Sequence, residues 1–275
     1  MATIHAPTLA SETVFHIGNF GVRNTLIMAW ITMAILIAVA LIGKLRGYKL
    51  VPNRFQSFLE LIIEGLLSLI DSVMQDRVLT RRVFPMIATF FLFIILANWL
   101  GIVPGVGSIT VQGIHNGEEV AIPILRSMNA DANVTLAFTL ISVIATQILG
   151  IASVGMIGHM KKYLVAPWQK PYGIGTVVGI LEFVGEFARL VSFVFRLFGN
   201  IFAGEVLLVV ISFLVPYLLP VPFLGLEVFV GFIQALVFSL LTVAFIKMAT
   251  MAHGDHDSQP HSASPEASRG RPAHA

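Results

Sequence analysis

The chain has 275 residues, of which 56% are hydrophobic and only 12% are charged, and its formal net charge is +2. Soluble domains carry about 25% charged residues, so this composition indicates a chain whose solvent is largely the lipid bilayer. The small net charge, with its basic residues spread over short loops, gives no support to nucleic-acid binding. Cysteine is absent, which excludes disulfides, thiolate metal sites and thiol catalysis.

Five apolar runs are each long enough to form a helix across a hydrocarbon core about 30 Å thick. We expect these spans at residues 25–42, 83–103, 134–157, 173–215 and 223–252. Residues 54–75 carry Glu60, Glu64 and Asp71 among apolar residues at helical spacing. This pattern predicts an amphipathic helix that lies at the membrane interface instead of crossing.

The predicted fold class is an all-α integral membrane protein, in which the last two helices form a long antiparallel hairpin. It forms a single membrane domain over residues 1–252, followed by a polar tail at 253–275 that we expect to be disordered. Orientation follows from the excess of Lys and Arg in cytoplasmic loops. One assignment puts all the basic segments in the cytoplasm, with the N-terminus outside and the C-terminus inside: residues 44–54, 77–82 and 161–170. The loop at 105–131, acidic apart from Arg126, then lies outside.

Charged and amide side chains interrupt the last two apolar runs, where each charge costs several kcal/mol unless it is paired or hydrated. They are Glu182, Glu186, Arg189, Arg196, Asn200, Glu205, Glu227 and Gln234. Glu182 and Arg189 lie near the basic end, where a long side chain can also reach the interface without any role in transport. At about 100° per residue, five of these side chains lie on one face of the helix and form a polar stripe: Glu182, Glu186, Arg189, Arg196 and Asn200. Glu205 faces the opposite side of the helix from Arg196.

Helix register adds a pairing hypothesis. The last two helices are joined by a short turn and should therefore pack antiparallel. One register places Arg196 level with Gln234 and Glu205 level with Glu227. We therefore expect Arg196 to contact the Gln234 amide, with the two carboxylates lying together nearer the outside.

This arrangement predicts a proton path made of two half-channels at different depths. The outward one is lined by Asn200, Glu205, Glu227 and Gln234, and the inward one by Glu182, Glu186 and Ser192. Arg196 is permanently charged and would repel a proton between them, so another carrier must take the proton past it.

Several segments resemble ATP synthase subunit a, the membrane proton-channel subunit of the F-type Fo sector. The most specific is RLFGNIFAGE at 196–205. The others occur in the same order as in that family: NRFQSFLELIIE at 53–64, FPMIATFFLFIILANWLGIVPG at 84–105, ADANVTLAF at 130–138 and GFIQALVFSLLTVAFI at 231–246. The resemblance covers nearly the whole chain except the tail and much of the 106–129 loop.

The resemblance implies a role for each matched residue. Arg196 would be the essential arginine that faces the carboxylate of a rotating ring of c subunits, with Gln234 as its partner. Asn200, Glu205 and Glu227 would line the outer half-channel, and Glu182 would match the carboxylate at the cytoplasmic exit. Two departures stand out: many relatives carry His at the position of Glu227, and the stretch FARLVSF before the arginine lacks a proline.

The same resemblance implies the setting of the protein. It would be a non-catalytic subunit of the complex, without metal or cofactor, in a bacterial inner membrane. Its partners would be the c ring, the subunit b peripheral stalk, the rest of the ATP synthase, lipid and protons.

Two other classes of membrane protein are alternatives to a proton-channel subunit. A secondary transporter would usually show more spans and two halves with paired broken helices, which this sequence lacks. A structural membrane scaffold would have no need of Arg196 at depth. The tail carries His253, His256 and His261, but a solvated tail is favoured over weak metal binding by these residues.

Overall fold

The computed structural model describes residues 11–18, 20–47, 49, 51–103, 105–115, 118–163, 174–215 and 218–251. These ranges contain the helices α1 (Asn24–Arg46), α2 (Arg54–Met74), α3 (Arg77–Ile102), α4 (Ala132–Val154), α5 (Met156–Tyr163), α6 (Ile174–Leu214) and α7 (Pro220–Thr250). They also contain two antiparallel strand pairs, β1 (Thr13–Ile17) with β2 (Phe20–Arg23) and β3 (Thr110–His115) with β4 (Glu118–Pro123). The predicted tail at 253–275 and residues 164–170 of the basic segment lie outside the described residues.

Five of the described helices are long and apolar enough to cross a membrane, namely α1, α3, α4, α6 and α7. They overlap the five predicted spans, and the all-α membrane class is confirmed. The amphipathic pattern of α2 is also confirmed, because Leu66, Ile70 and Met74 are buried along one side while the polar Glu64 and Ser68 are exposed. These buried residues follow the spacing of four that places side chains on one helix face.

The chain passes from α2 to α3 through a short connection. The Gln75 backbone has a φ of 59°, in the left-handed region that ends a helix. The Asp76 side chain then accepts hydrogen bonds from the backbone N–H groups of Val78 and Leu79 at 2.9 and 3.2 Å, which caps α3. Lys247, near the end of α7, donates to the Val73 carbonyl at 2.9 Å and so fastens α7 to the same corner.

α6 and α7 are much longer than a simple span, with 41 and 31 residues. At about 1.5 Å per residue, α6 is about 60 Å long, or twice the roughly 30 Å of the hydrocarbon core. A helix of this length must either be strongly inclined to the membrane normal or extend beyond the hydrocarbon at its ends.

α7 is the central helix and contacts α2, α3, α4 and α6. Its Phe238 ring lies between Phe90 of α3 and Phe193 of α6, with ring centroids 5.6 and 5.2 Å away. Aromatic pairs of this kind add about 0.5–1.5 kcal/mol each beyond the burial of their surface. The Thr242 hydroxyl lies 2.9 Å from that of Ser142 on α4. These contacts fix the depth at which α7 faces α6.

Asp131 connects the N-terminal segment to the membrane helices. Its carboxylate accepts hydrogen bonds from the Ser11 and Thr25 hydroxyls at 2.5 and 3.1 Å, and from the Asn133 backbone N–H at the start of α4 at 2.9 Å. Burial acts to raise the pKa of Asp131, but the hydrogen bonds from Ser11, Asn133 and Thr25 outweigh burial and lower the pKa below its usual value.

The predicted loop at 105–131 contains the β3–β4 strand pair, which the sequence analysis did not predict. Its two strands pair from Thr110 with Pro123 to His115 with Glu118. The sequence does hold a signal for this pairing, since Asn116 and Gly117 form the dipeptide most typical of a two-residue hairpin turn.

Candidate functional site

A cavity of about 750 Å³ lies among α3, α6, α7 and the segment that leads into α4. It lies on the same side of the bundle as the β3–β4 pair, because it is lined by the end of α3, the end of α6 and the beginning of α7. Its polar lining residues are Asn98, Arg126, Ser127, Glu205, Ser212 and Glu227. The cavity thus brings together the two carboxylates that the sequence assigns to the outer half-channel.

Glu205 forms an ion pair that the sequence did not predict. Arg126, between β4 and α4, donates from Nε to the two Glu205 oxygens at 2.9 and 3.2 Å and from Nη2 to Oε2 at 3.0 Å. The Arg126 side chain is only 5% exposed. Its sequence signal is slight: it is the one basic residue in a loop that is otherwise acidic.

Glu227 lies against the α6 backbone at Gly204. A Cβ built on Gly204 would lie 2.7 Å from Glu227 Oε1, so only glycine permits this close approach. Among the described residues, Glu227 Oε2 is buried and has no hydrogen-bond partner, and the same holds for the Ser127 hydroxyl in the cavity wall. Glu205 and Glu227 therefore share one cavity but differ in environment.

Asn98 joins the cavity wall to the helix core. Its Nδ2 donates to the Gly231 carbonyl of α7 at 3.1 Å, and its Oδ1 accepts from Asn129 at 2.6 Å. Asn98 thus makes a hydrogen bond between α3 and α7. Gln147 of α4 likewise bonds His159 of α5 at 2.6 Å.

The expected contact between Arg196 and Gln234 is not formed in the described residues. Gln234 Oε1 instead accepts from Asn200 Nδ2 at 2.9 Å, one turn farther along α6 than Arg196. The predicted antiparallel register is right to within about one turn, since Gly204 touches Glu227 in the same hairpin. The pairing differs because Gln234 lies within hydrogen-bond distance of Asn200, one turn along α6 from Arg196.

Arg196 lies near the middle of α6 and its side chain is exposed. Ser192 and Asn200, one turn before and after it, are exposed on the same face. Among the described residues, Arg196 has no hydrogen bond or ion pair, which sets it apart from Arg126 and Arg189. The face that carries Arg196 therefore presents a charge outward from the chain.

Glu182 and Glu186, which are predicted to line the inner half-channel, lie in the half of α6 that precedes Arg196. Arg189 Nη1 donates to Glu186 Oε2 at 3.0 Å, and the guanidinium carbon lies 3.8 Å from the centre of the Phe245 ring. Glu182, one turn before Glu186, is partly buried. α6 is continuous from Glu182 to Asn200, and Glu186 is held by Arg189.

No group of three His, Asp or Glu side chains that could hold a metal ion occurs among the described residues, and the tail histidines lie outside them.

Residues 26–247 match the family model described as ATP synthase A chain. An ATP synthase subunit a of Gloeobacter violaceus is 35% identical over 254 residues, covering 92% of this chain and 94% of that relative. One of Moorella thermoacetica is 30% identical over 242 residues, covering 88% of this chain and 96% of that relative. The chain belongs to the ATP synthase subunit a family, an integral membrane component of the Fo sector.

Proposed function

We propose that this chain is the stationary proton-channel subunit of a rotary F-type ATP synthase, with two half-channels that are offset along α6. Arg196 lies between them and prevents a direct passage of protons. The chain performs no catalysis itself, and couples proton flow to the rotation of a ring of c subunits. The peripheral stalk subunit b would hold the chain stationary, in a bacterial inner membrane.

The exposed position of Arg196 carries this proposal. A guanidinium at mid-membrane depth that faces away from its own chain costs several kcal/mol unless another molecule pairs with it. Arg196 is near the middle of α6 and has no partner among the described residues. A carboxylate on a neighbouring membrane subunit supplies the opposite charge, and a ring of such carboxylates would bring one after another to the same place.

The cavity supports the outer half-channel. Its volume of about 750 Å³ leaves room for many water molecules, each of which occupies about 30 Å³ in the liquid. Glu227 and Ser127 offer it buried polar atoms that have no partner among the described residues. From Glu227, the Asn200–Gln234 bond lies about 10 Å deeper, since Gln234 follows Glu227 by two helical turns.

The inner half-channel is proposed along the other half of α6. Glu186 lies about 15 Å before Arg196 along α6, whereas Glu205 lies beyond Arg196 toward the other end of the helix. Glu182 follows it toward the basic end of the helix, and Ser192 lies between Glu186 and Arg196. Protons released near Ser192 would pass Glu186 and leave at Glu182.

Proton transfer then follows from charge. A ring carboxyl that arrives protonated loses its proton to the inner half-channel as it nears Arg196, because an opposite charge within about 4–6 Å favours the carboxylate. The carboxylate passes Arg196 as an anion and takes up a proton from the outer half-channel. Return to lipid requires the neutral form, so each step of the ring carries one proton.

The test is ATP synthesis by the whole complex in proteoliposomes, with Arg196→Ala compared with Arg54→Ala. Arg54 is an exposed arginine at the start of α2 and serves as the matched control. Arg196→Ala is expected to abolish proton-driven synthesis, whereas Arg54→Ala retains it. Synthesis at the wild-type rate in Arg196→Ala would refute the proposal.

A further inference from the structure

The proposed function leaves the two carboxylates of the outer cavity without separate roles, and the inference that follows rests on that function. We infer that Arg126 is a positioning residue that holds Glu205 as a fixed carboxylate, so that Glu227 alone takes up and passes on protons in the outer cavity.

The first step is the geometry of the ion pair. Arg126 uses two nitrogens and reaches both Glu205 oxygens at 2.9 to 3.2 Å. Protonation of Glu205 would remove a negative charge that lies within hydrogen-bond distance of a guanidinium that is only 5% exposed. Breaking a pair in which one charge is buried is strongly unfavourable, so the carboxylate form of Glu205 is retained through the transport cycle.

The second step is the environment of Glu227. Its Oε1 lies against Gly204 and its Oε2 is buried without a hydrogen-bond partner among the described residues. An ionised carboxylate in that position has no protein donor at Oε2 among the described residues, whereas a neutral carboxyl has a smaller desolvation cost. Protonation of Glu227 is therefore the state change that this cavity permits at least cost.

The third step is the charge balance of the cavity. The charged residues in its lining are Arg126 from the segment before α4, Glu205 from α6 and Glu227 from α7, while α3 contributes the neutral Asn98. With Arg126 and Glu205 paired, the cavity is neutral when Glu227 is protonated and carries one negative charge when it is not. That single negative charge attracts the next proton from outside.

The experiment measures ATP synthesis by the intact complex in proteoliposomes as a function of pH in the proton-donating compartment. In the wild type the rate should follow one titrating group. Arg126→Gln frees Glu205 as a second group that takes protons, so the profile should become broader or two-stepped and the maximal rate should fall about tenfold or more. Adding Glu205→Gln to Arg126→Gln should restore the single-step profile and recover part of the rate.

Glu227→Gln should remove synthesis in every background. The inference is overturned if Glu227→Gln synthesises at near the wild-type rate, or if the assembled Arg126→Gln/Glu205→Gln complex is no faster than Arg126→Gln. Arg126→Lys keeps the charge and should keep the single-step profile. It is the decisive variant if Arg126→Gln does not assemble, and a two-step profile in it would also refute the inference.

The two failures are separable. A normal rate in Arg196→Ala refutes the proposed function, and with it the basis of this inference. An inactive Arg196→Ala together with an active Glu227→Gln refutes only the assignment of proton uptake to Glu227.

Discussion

Asn200 on α6 donates its side-chain amide to the carbonyl oxygen of Gln234 on α7 at 2.9 Å. The bond lies one turn from Arg196 and occupies the acceptor that sequence reasoning assigned to that arginine. Gln234 is 4% exposed, and its Nε2 has no partner among the described residues. Gln234 is thus held by Asn200, which leaves Arg196 directed out of the chain.

This bond predicts that Asn200 and Gln234 act as a unit. Asn200→Leu and Gln234→Leu should each slow ATP-driven proton pumping, because each leaves a polar group of the other unpaired. The double variant should be faster than the product of the two effects predicts, by about fivefold for a coupling near 1 kcal/mol. Pumping is measured in membrane vesicles by the quenching of a pH-sensitive dye. Strictly multiplicative effects would mean that the bond has no part in transport.

The level at which these helices meet was predictable, but the side-chain pairing was not. Apolar run length and the short turn before α7 predict an antiparallel hairpin whose register is right to within about one turn. Arg196 and Asn200 differ by only about 40° around α6 and by about 6 Å along it, so the exact level of Gln234 decides which of them it contacts. That level depends on packing such as Phe238 between Phe90 and Phe193, which no periodicity in the sequence encodes.

The contact between Arg126 and Glu205 could not be predicted from the sequence. Arg126 lies 79 residues before Glu205, outside any helix, and no pattern of spacing connects the two. A charge in a loop is ordinarily solvated, so the sequence gives no reason to place it in a cavity. The glutamates on α6 and α7 could be predicted as functional candidates, because a charge within an apolar membrane span is costly unless it is paired or hydrated.

The Asp131 cluster predicts a pH dependence of stability. The pKa of Asp131 is lower in the folded chain than its ordinary value of 3.8, so its carboxylate contributes stability that is complete above that value. The contribution is lost as the pH falls through the lower, folded pKa. Asp131→Asn removes the charge, and should lower the free energy of unfolding by about 1–3 kcal/mol at neutral pH.

A matched control is Asp76→Asn, because the Asp76 side chain caps α3 and, within the described part of the chain, bonds only the backbone at the start of that helix. Asparagine also caps helices well, so this change should cost little. Thermal unfolding of the subunit in the purified complex would compare the two variants. Equal losses would show that the bonds from Ser11 and Thr25 to Asp131 add nothing.

Membrane orientation gives a prediction from charge alone. The basic segments should face the cytoplasm, so the β3–β4 strand pair and the N-terminus should face outward. The chain has no cysteine, and single cysteines can therefore be introduced without background. An impermeant thiol reagent added outside should label Gly113→Cys and leave Lys162→Cys unlabelled until the membrane is opened. The opposite labelling pattern would invert the orientation.

Gly204 predicts how closely α6 and Glu227 must approach. In Gly204→Ala the new methyl group would lie 2.7 Å from Glu227 Oε1 and 3.1 Å from its Cδ, so the carboxyl must move. Because this carboxyl ends a flexible side chain, the protein should fold and the complex should assemble. Proton transfer should suffer more, by roughly 10- to 100-fold, since displacement of a reacting group by about 1 Å has effects of that size. ATP synthesis in proteoliposomes measures the loss.

The control for this change is Gly225→Ala, two residues before Glu227 on α7. No described atom lies within 4 Å of a Cβ at Gly225, so the added methyl should do no harm and should favour the helix by up to about 1 kcal/mol. A second variant tests the cause: Glu227→Asp shortens the side chain by one methylene and should partly relieve the clash in a Gly204→Ala background. The steric explanation predicts that the double variant is faster than Gly204→Ala alone. A Gly204→Ala complex that synthesises ATP as fast as Gly225→Ala would show that the close contact with Glu227 is dispensable.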